Sequence, residues 1–91
     1  MFFRLRKFLL YIREFILVIV SRSKGNKGAI EVHPEKEQTF FVLSGSGIIK
    51  ISKEQALAKP GDIIFVPRNA WHCAEATNED LSYLCLNTYI T

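Results

Sequence analysis

The chain has 91 residues, of which 48% are hydrophobic and 23% are charged, with a net charge of +3. This length holds one domain and excludes a large multi-lobed enzyme. The apolar content and the few Gly and Pro residues exclude a disordered tail and a collagen-like or low-complexity sequence.

The net positive charge comes from the N-terminal segment alone. Residues 1–28 carry seven Lys or Arg side chains and one Glu, whereas residues 29–91 carry five basic and eight acidic side chains. Only the N-terminal segment could therefore meet an anionic surface, and the remainder gives no electrostatic reason to expect binding to nucleic acid.

The N-terminal segment has the basic start and apolar centre of a signal peptide. However, Arg13 and Glu14 interrupt its apolar run, and no cleavage site of small residues follows Val20. The run is also too short and too polar to span a bilayer. We therefore expect residues 1–24 to be a hydrophobic extension that holds the first strand and serves as a candidate dimer element, and we do not expect membrane association.

Apolar runs along the chain predict strands. Residues 2–13 are ambiguous, because their apolar side chains fit helical spacing passably while residues 3–6 alternate as in a strand. Residues 15–20 are rich in β-branched side chains and predict a strand buried on both faces. A second subunit is one way to cover both faces, and we expect a homodimer.

Residues 25–91 are predicted to form a barrel of short strands. The expected strands are 29–33, 39–43, 48–52, 63–66, 70–76 and 81–90, with a hairpin turn at 44–47, a tight turn at 60–62 and a loop at 77–80. Strands of this length with turn residues at this spacing indicate an all-β sandwich or barrel.

The two cysteines, Cys73 and Cys85, do not form a close pair. Both a disulfide framework and a thiolate metal site normally need more cysteines at closer spacing. We expect two buried free thiols, as is usual in the reducing cytoplasm, and a cytoplasmic location.

The chain has two histidines, His33 and His72, and each lies at the end of a predicted strand beside a proline-marked turn. Strand ends of a small barrel can converge on one interior point. The two histidines therefore predict a shared site.

The sequence around His72 resembles the second motif of the cupin family, G-x5-P-x-G-x2-H-x3-N. Gly61, Pro67 and His72 match in type and spacing, while Asn69 stands in place of a Gly and Ala76 in place of the Asn. Asn, like Gly, tolerates a left-handed turn.

The sequence around His33 resembles the first cupin motif, H-x-H-x3–4-E-x6-G. His33 and Gly45 match, whereas Glu31 and Gln38 stand at the first His position and the Glu position. The resemblance covers about residues 28–90 and implies an antiparallel jelly-roll barrel, often a dimer, with one divalent metal held by three His and one Glu.

Carried over position by position, the implied metal ligands are Glu31, His33, Gln38 and His72. Two imidazoles, a carboxylate and an amide oxygen suit Fe(II), Mn(II), Ni(II) or Zn(II). An amide is a weaker donor than a carboxylate, so we expect a reduced metal affinity. Glu37 is a spare carboxylate, but a shift of one residue places it on the other strand face.

Several functions stay open at this point, because a fold and a metal do not name a reaction. The barrel is either a metal-binding protein of unspecified reaction or a metal-free barrel that binds or senses a small molecule, unless the histidine pair is purely structural. Arg68 could hold an anionic substrate, and Tyr83 and Tyr89 could offer hydroxyl groups, although a solvated turn and ordinary packing are the commoner roles. A docking role for residues 1–22 ranks last.

Overall fold

The structure is a computed structural model that describes residues 12–90. The ambiguous segment 2–13 therefore lies almost wholly outside the described residues. The described part holds five strands and no helix: β1 (Ile12–Arg22), β2 (Lys36–Ile51), β3 (Glu54–Ala58), β4 (Ile63–Val66) and β5 (His72–Ile90).

All strand pairs are antiparallel and form one sheet in the order β1-β5-β2-β3, with β4 pairing separately with β2. β4 lies beside residues 38–41 of β2, and β3 lies beside residues 47–51. β2 therefore pairs with β3 and β4 at its two ends and with β5 along its length. The expected all-β antiparallel architecture is confirmed.

β1 pairs with β5 over nearly its whole length, from Ile12 opposite Ile90 to Arg22 opposite Leu81. The strand predicted at residues 15–20 is confirmed. The other described residues leave its side chains open: the five from Phe15 to Ile19 are between 43% and 67% exposed. The strand part of the N-terminal extension thus lies in the same sheet as the rest of the barrel.

Two of the predicted turns are wrong. β2 continues through residues 44–47, where we expected a hairpin, and β5 continues through residues 77–80, where we expected a loop. The two segments lie opposite each other, because Gly45 faces Leu81 and Gly47 faces Ala76 across an irregular stretch of the ladder. The glycines mark a bend shared by two long strands and not the end of a strand.

The backbones of β2 and β5 approach very closely at this bend. Gly45 has a φ of +81°. A Cβ added there would overlap the carbonyl oxygen of Asp80, and one at Gly47 would overlap that of Glu75. Glycine is required here because neighbouring backbone occupies the space of a side chain.

Because β2 and β5 bend at Gly45 and Gly47, their side chains before and after the bend pack into a single core. It is built from alternating positions of β2 and β5 together with one residue each of β3 and β4. The buried cluster consists of Phe40, Val42, Ile49, Ala58, Val66, Ala74, Ala76, Leu81, Tyr83 and Cys85.

The remaining predictions have mixed outcomes. The turn at 60–62 and the strand at 63–66 are confirmed, and both cysteines are free and buried. Residues 29–33 form no strand, because only an isolated bridge from Glu31 to His72 ties this segment to β5. No helix within residues 12–90 has the length and apolarity needed to cross a membrane.

Gly45→Ala should be strongly destabilising. The matched control is Gly25→Ala, because Gly25 also has a positive φ, of +77°, but has no atom within 4 Å of an added Cβ. The control should lose about 1 kcal/mol of unfolding free energy from the left-handed backbone. Gly45→Ala should lose at least about 2 kcal/mol more, because backbone must move. Urea denaturation measures both values, and equal losses would contradict the close approach.

Candidate metal centre

Backbone pairing places Glu31 beside His72. The amide of each residue donates to the carbonyl oxygen of the other at 2.9 Å. The carbonyl oxygen of His33 accepts from the amide of Asn69 at 3.0 Å, and Asn69 has a φ of +67°. Asn69 thus adopts the left-handed turn expected of it, and this turn holds the segment that carries Glu31 and His33 against the start of β5.

Three of the predicted residues converge on one point. Glu31 Oε2 lies 3.7 Å from His33 Nε2 and 4.0 Å from His72 Nε2. The two imidazole rings are 5.3 Å apart between centroids. One donor atom from each of the three side chains lies within 4.8 Å of the other two, so the group can hold a metal ion.

In both rings Nδ1 contacts an oxygen atom and Nε2 lies towards Glu31. His72 Nδ1 lies 3.0 Å from the carbonyl oxygen of Ala70. A carbonyl only accepts, so Nδ1 carries the proton and Nε2 carries the lone pair. His33 Nδ1 lies 3.5 Å from a carboxylate oxygen of Glu35. Both Nε2 atoms are buried without a hydrogen-bond partner.

The fourth predicted residue, Gln38, has its orientation fixed by a chain of amides. Asn87 Nδ2 donates to the carbonyl oxygen of Ile16 at 3.2 Å, so Asn87 Oδ1 must face the other way. That oxygen accepts from Gln38 Nε2 at 2.9 Å. Gln38 Oε1 is left buried without a partner.

Cys85 completes this network. Gln38 Nε2 donates to its sulfur at 3.4 Å, and the thiol donates to Asn87 Oδ1 at 3.7 Å. Burial raises the pKa of the Cys85 thiol, which keeps it protonated and able to donate. The thiol thus supports the amide orientation of Gln38.

The donor atoms border a cavity of about 200 Å³ whose wall includes Glu31, Gln38 and His72. Three of the four predicted ligand residues therefore line the same cavity, although Glu31 is exposed and His72 is buried. His33 is not part of the cavity wall and reaches the centre through its contact with Glu31. Tyr83 also lines the cavity, as does Cys73, which is not in the three-residue group.

Two residues near the centre were missed from the sequence. Asn87 is a polar residue on the strand face that otherwise carries buried Leu81, Tyr83 and Cys85, and this break in an apolar face was the signal. Arg22 lines the cavity, whereas the sequence assigned it to a basic surface segment. The guanidinium suggested by sequence, Arg68, is exposed and is not part of the cavity wall.

Comparison with known proteins agrees with the geometry. The family model of the cupin domain matches residues 18–87. An uncharacterized protein of Methanocaldococcus jannaschii is 31% identical over 62 residues, which are 67% of this chain and 50% of that protein, so the chain spans about half the length of this curated relative.

Solved structures show the same fold. KdgF from a Halomonas species superposes with a TM-score of 0.79 at 22% identity and covers 89% of this chain and 75% of its own. A predicted oxalate decarboxylase from Thermotoga maritima gives a TM-score of 0.78 at 20% identity, with coverage of 93% and 73%. The expected cupin jelly-roll fold is confirmed.

The amide chain can be tested by a double-mutant cycle on Asn87 and Gln38. Asn87→Leu should lose about 1–3 kcal/mol of unfolding free energy, because it leaves Gln38 Nε2 with only the weak sulfur acceptor of Cys85 and removes the donor to the Ile16 carbonyl. Gln38→Met removes one of those stranded groups, so the double variant should be more stable than the sum of the single losses by about 0.5–3 kcal/mol. Urea denaturation gives the three values, and strict additivity would show that the amides do not interact.

Proposed function

Since the chain belongs to the cupin family, we propose that it binds one divalent transition-metal ion in the barrel. The ligands are Glu31, His33, Gln38 and His72. The reaction at this centre is not assigned, because neighbours at 20–22% identity support the fold and not a chemistry.

The observation that carries the proposal is a set of three buried lone-pair atoms without partners: His33 Nε2, His72 Nε2 and Gln38 Oε1. A buried polar atom without a hydrogen bond is costly, and native proteins rarely leave several together. A cation at the point where Glu31, His33 and His72 converge would satisfy both imidazole nitrogens, and Glu31 would supply a negative charge. Gln38 lines the same cavity as His72 and Glu31, and in the proposed site its Oε1 turns to the same ion.

The ligand chemistry limits which metals fit. Two imidazoles and one carboxylate form the set used by non-haem Fe(II) proteins, which leave coordination positions open. Mn(II), Ni(II) and Zn(II) also accept imidazole and oxygen ligands. When bound, such an ion acts as a Lewis acid towards a ligand in the cavity.

A second candidate function is a metal-free barrel that binds or senses a small molecule. It is favoured by one specific observation: the amide of Gln38 stands where the family has a carboxylate, which weakens the metal site. The cavity beside Gln38 would then hold the ligand by itself.

Elemental analysis distinguishes the two functions. Native protein purified without a histidine tag or chelator should contain about one metal per chain, and the His33→Ala/His72→Ala variant should contain less than about a tenth. Glu37→Gln is the matched control, because this carboxylate adjoins Gln38 on the other strand face, and it should retain the metal. Gln38→Glu should hold the ion more tightly in competition with a chelator. Metal-free native protein, even after addition of Fe, Mn, Ni and Zn, would favour the second candidate.

We also propose that β1 joins two copies of the chain in a homodimer. Among the described strands, β1 is an edge that pairs only with β5, and apolar side chains on both of its faces are exposed. An edge strand with unpaired backbone and apolar faces associates readily with another strand. A second copy related by a two-fold axis offers an antiparallel β1 with the same character, so one contact covers both edges.

Replacing the two most exposed side chains of this stretch tests the dimer. Leu17→Lys/Ile19→Lys should convert a dimer into a monomer in light scattering, because two lysines would be buried at the interface. The control Leu57→Lys/Ile63→Lys changes side chains that are equally exposed, at 73% and 66%, but lie on β3 and β4. A monomeric native protein, or a loss of dimer in both variants, would contradict the assignment to β1.

We propose a cytoplasmic location as well. Its support is that Cys73 and Cys85 are both free and buried, as is usual for cysteines in a reducing compartment.

A further inference from the structure

Arg22 brings a positive charge to the wall of the cavity. It ends β1, is half-buried and lines the cavity that also contains Glu31, Gln38 and His72. Its Nε is fully buried and has no hydrogen-bond partner. Within residues 12–90, the ion pairs join histidines to glutamates, and none includes Arg22.

Gly28 makes room for this guanidinium. An added Cβ at Gly28 would lie 2.7 Å from Arg22 Cζ and 3.0 Å from its Nε. The backbone of Gly28 is not in the left-handed region, so space and not conformation requires glycine here. The chain therefore holds the guanidinium against buried backbone beside the cavity, and not in solvent.

Tyr83 adds a neutral donor next to Arg22. Burial raises the pKa of its phenol, and the adjacent Arg22 opposes this rise through its charge and a side-chain hydrogen bond. The hydroxyl is therefore protonated at neutral pH and can donate to an anion held by the guanidinium.

The charge of the cavity favours an anion. Its wall carries one carboxylate, on Glu31, and one guanidinium, on Arg22, which balance each other. A divalent cation at the centre would leave a net charge of about +2 in a partly enclosed space, where electrostatic attraction is stronger than in bulk water.

We propose that the ligand of this cavity is a small carboxylate, with one anionic group bound by Arg22 and the Tyr83 hydroxyl. The proposal deepens the proposed function, because the metal centre would meet the other end of the ligand, but the Arg22 contact does not depend on the metal. A cavity of about 200 Å³ is smaller than most ligand sites, so it suits a ligand of a few carbon atoms.

A carboxylate fits this arrangement better than a phosphate does. The planar fork of one guanidinium matches two carboxylate oxygens. Phosphate sites commonly add several backbone amides from a helix N-terminus or a nest. No helix is present in residues 12–90, and the cavity offers a single guanidinium with one hydroxyl beside it.

Calorimetric titration of the metal-loaded protein with malonate and succinate tests the proposal. Arg22→Met should weaken their binding by about 10- to 100-fold, the loss expected for a charge-assisted hydrogen bond. Its metal content should equal that of the native protein. Arg68→Met is the matched control, because it removes an exposed arginine outside the cavity, and it should bind as the native protein does.

Gly28→Ala is a second variant that keeps the guanidinium but displaces it. Only the flexible end of Arg22 must move, so the fold should be retained while carboxylate affinity falls in the same direction as in Arg22→Met. If Arg22→Met does not fold, Gly28→Ala and Arg22→Lys test whether carboxylate affinity depends on the position and shape of the guanidinium. The neutral diamides of malonate and succinate should bind weakly and equally to all variants.

The possible results separate this proposal from the metal centre. Carboxylate binding that depends on Arg22 in a protein that takes up no metal would support this proposal and overturn the metal centre. Metal-loaded protein that binds neither dicarboxylate, or that binds them equally well in Arg22→Met, would overturn this proposal alone. Tighter Arg22-dependent binding of inorganic phosphate would overturn the carboxylate assignment.

Discussion

The close approach of β2 and β5 at Gly45 and Gly47 sets the path of both long strands and the position of the core and the cavity. Both strands continue through this bend and pair on either side of it. His72 at the start of β5 and Asn87 near its end consequently act at the same cavity, one as a candidate ligand and one through Gln38. A strand that ended at the glycines would leave these two residues in separate elements, with nothing to fix their relative position.

The sequence predicts those parts of the site whose conformation is determined by neighbouring residues in the chain. Residues 60–66 form the expected turn and strand because Pro and Gly set the turn geometry. Asn69 takes the left-handed turn because its short side chain tolerates it. The hairpin predicted at residues 44–47 failed for the opposite reason. Its composition suits a turn, but glycine is needed there because the carbonyl groups of Glu75 and Asp80 leave no space for a side chain. Those two residues lie far away in the sequence. The residue pattern within a short segment cannot predict a contact with a distant strand.

The N-terminal extension shows that the sequence also does not predict where a charged side chain lies. Counting residues identifies a basic segment, but it does not tell which cation faces inward. Two polar groups of β1 act on the site: the carbonyl oxygen of Ile16 orients Asn87, and the guanidinium of Arg22 lines the cavity. Both contacts come from the strand with the exposed apolar faces. The proposed association through β1 would therefore act on the residues that orient Gln38 and on the charge of the cavity, so it would link assembly physically to the site.

The amide at position 38 is the departure from the family pattern with the largest chemical consequence. Asn87 presents an oxygen to this position, because its nitrogen is committed to the Ile16 carbonyl. A carboxylate at position 38 would face that oxygen without a proton between them, so the surroundings suit Gln38. In the proposed site, the amide also removes one negative charge from beside the divalent cation. With Glu31 as the remaining carboxylate and no ion pair to Arg22 within residues 12–90, the centre would keep excess positive charge. The weaker ligand and the guanidinium would thus have one shared effect, a site whose charge is balanced by an anionic ligand.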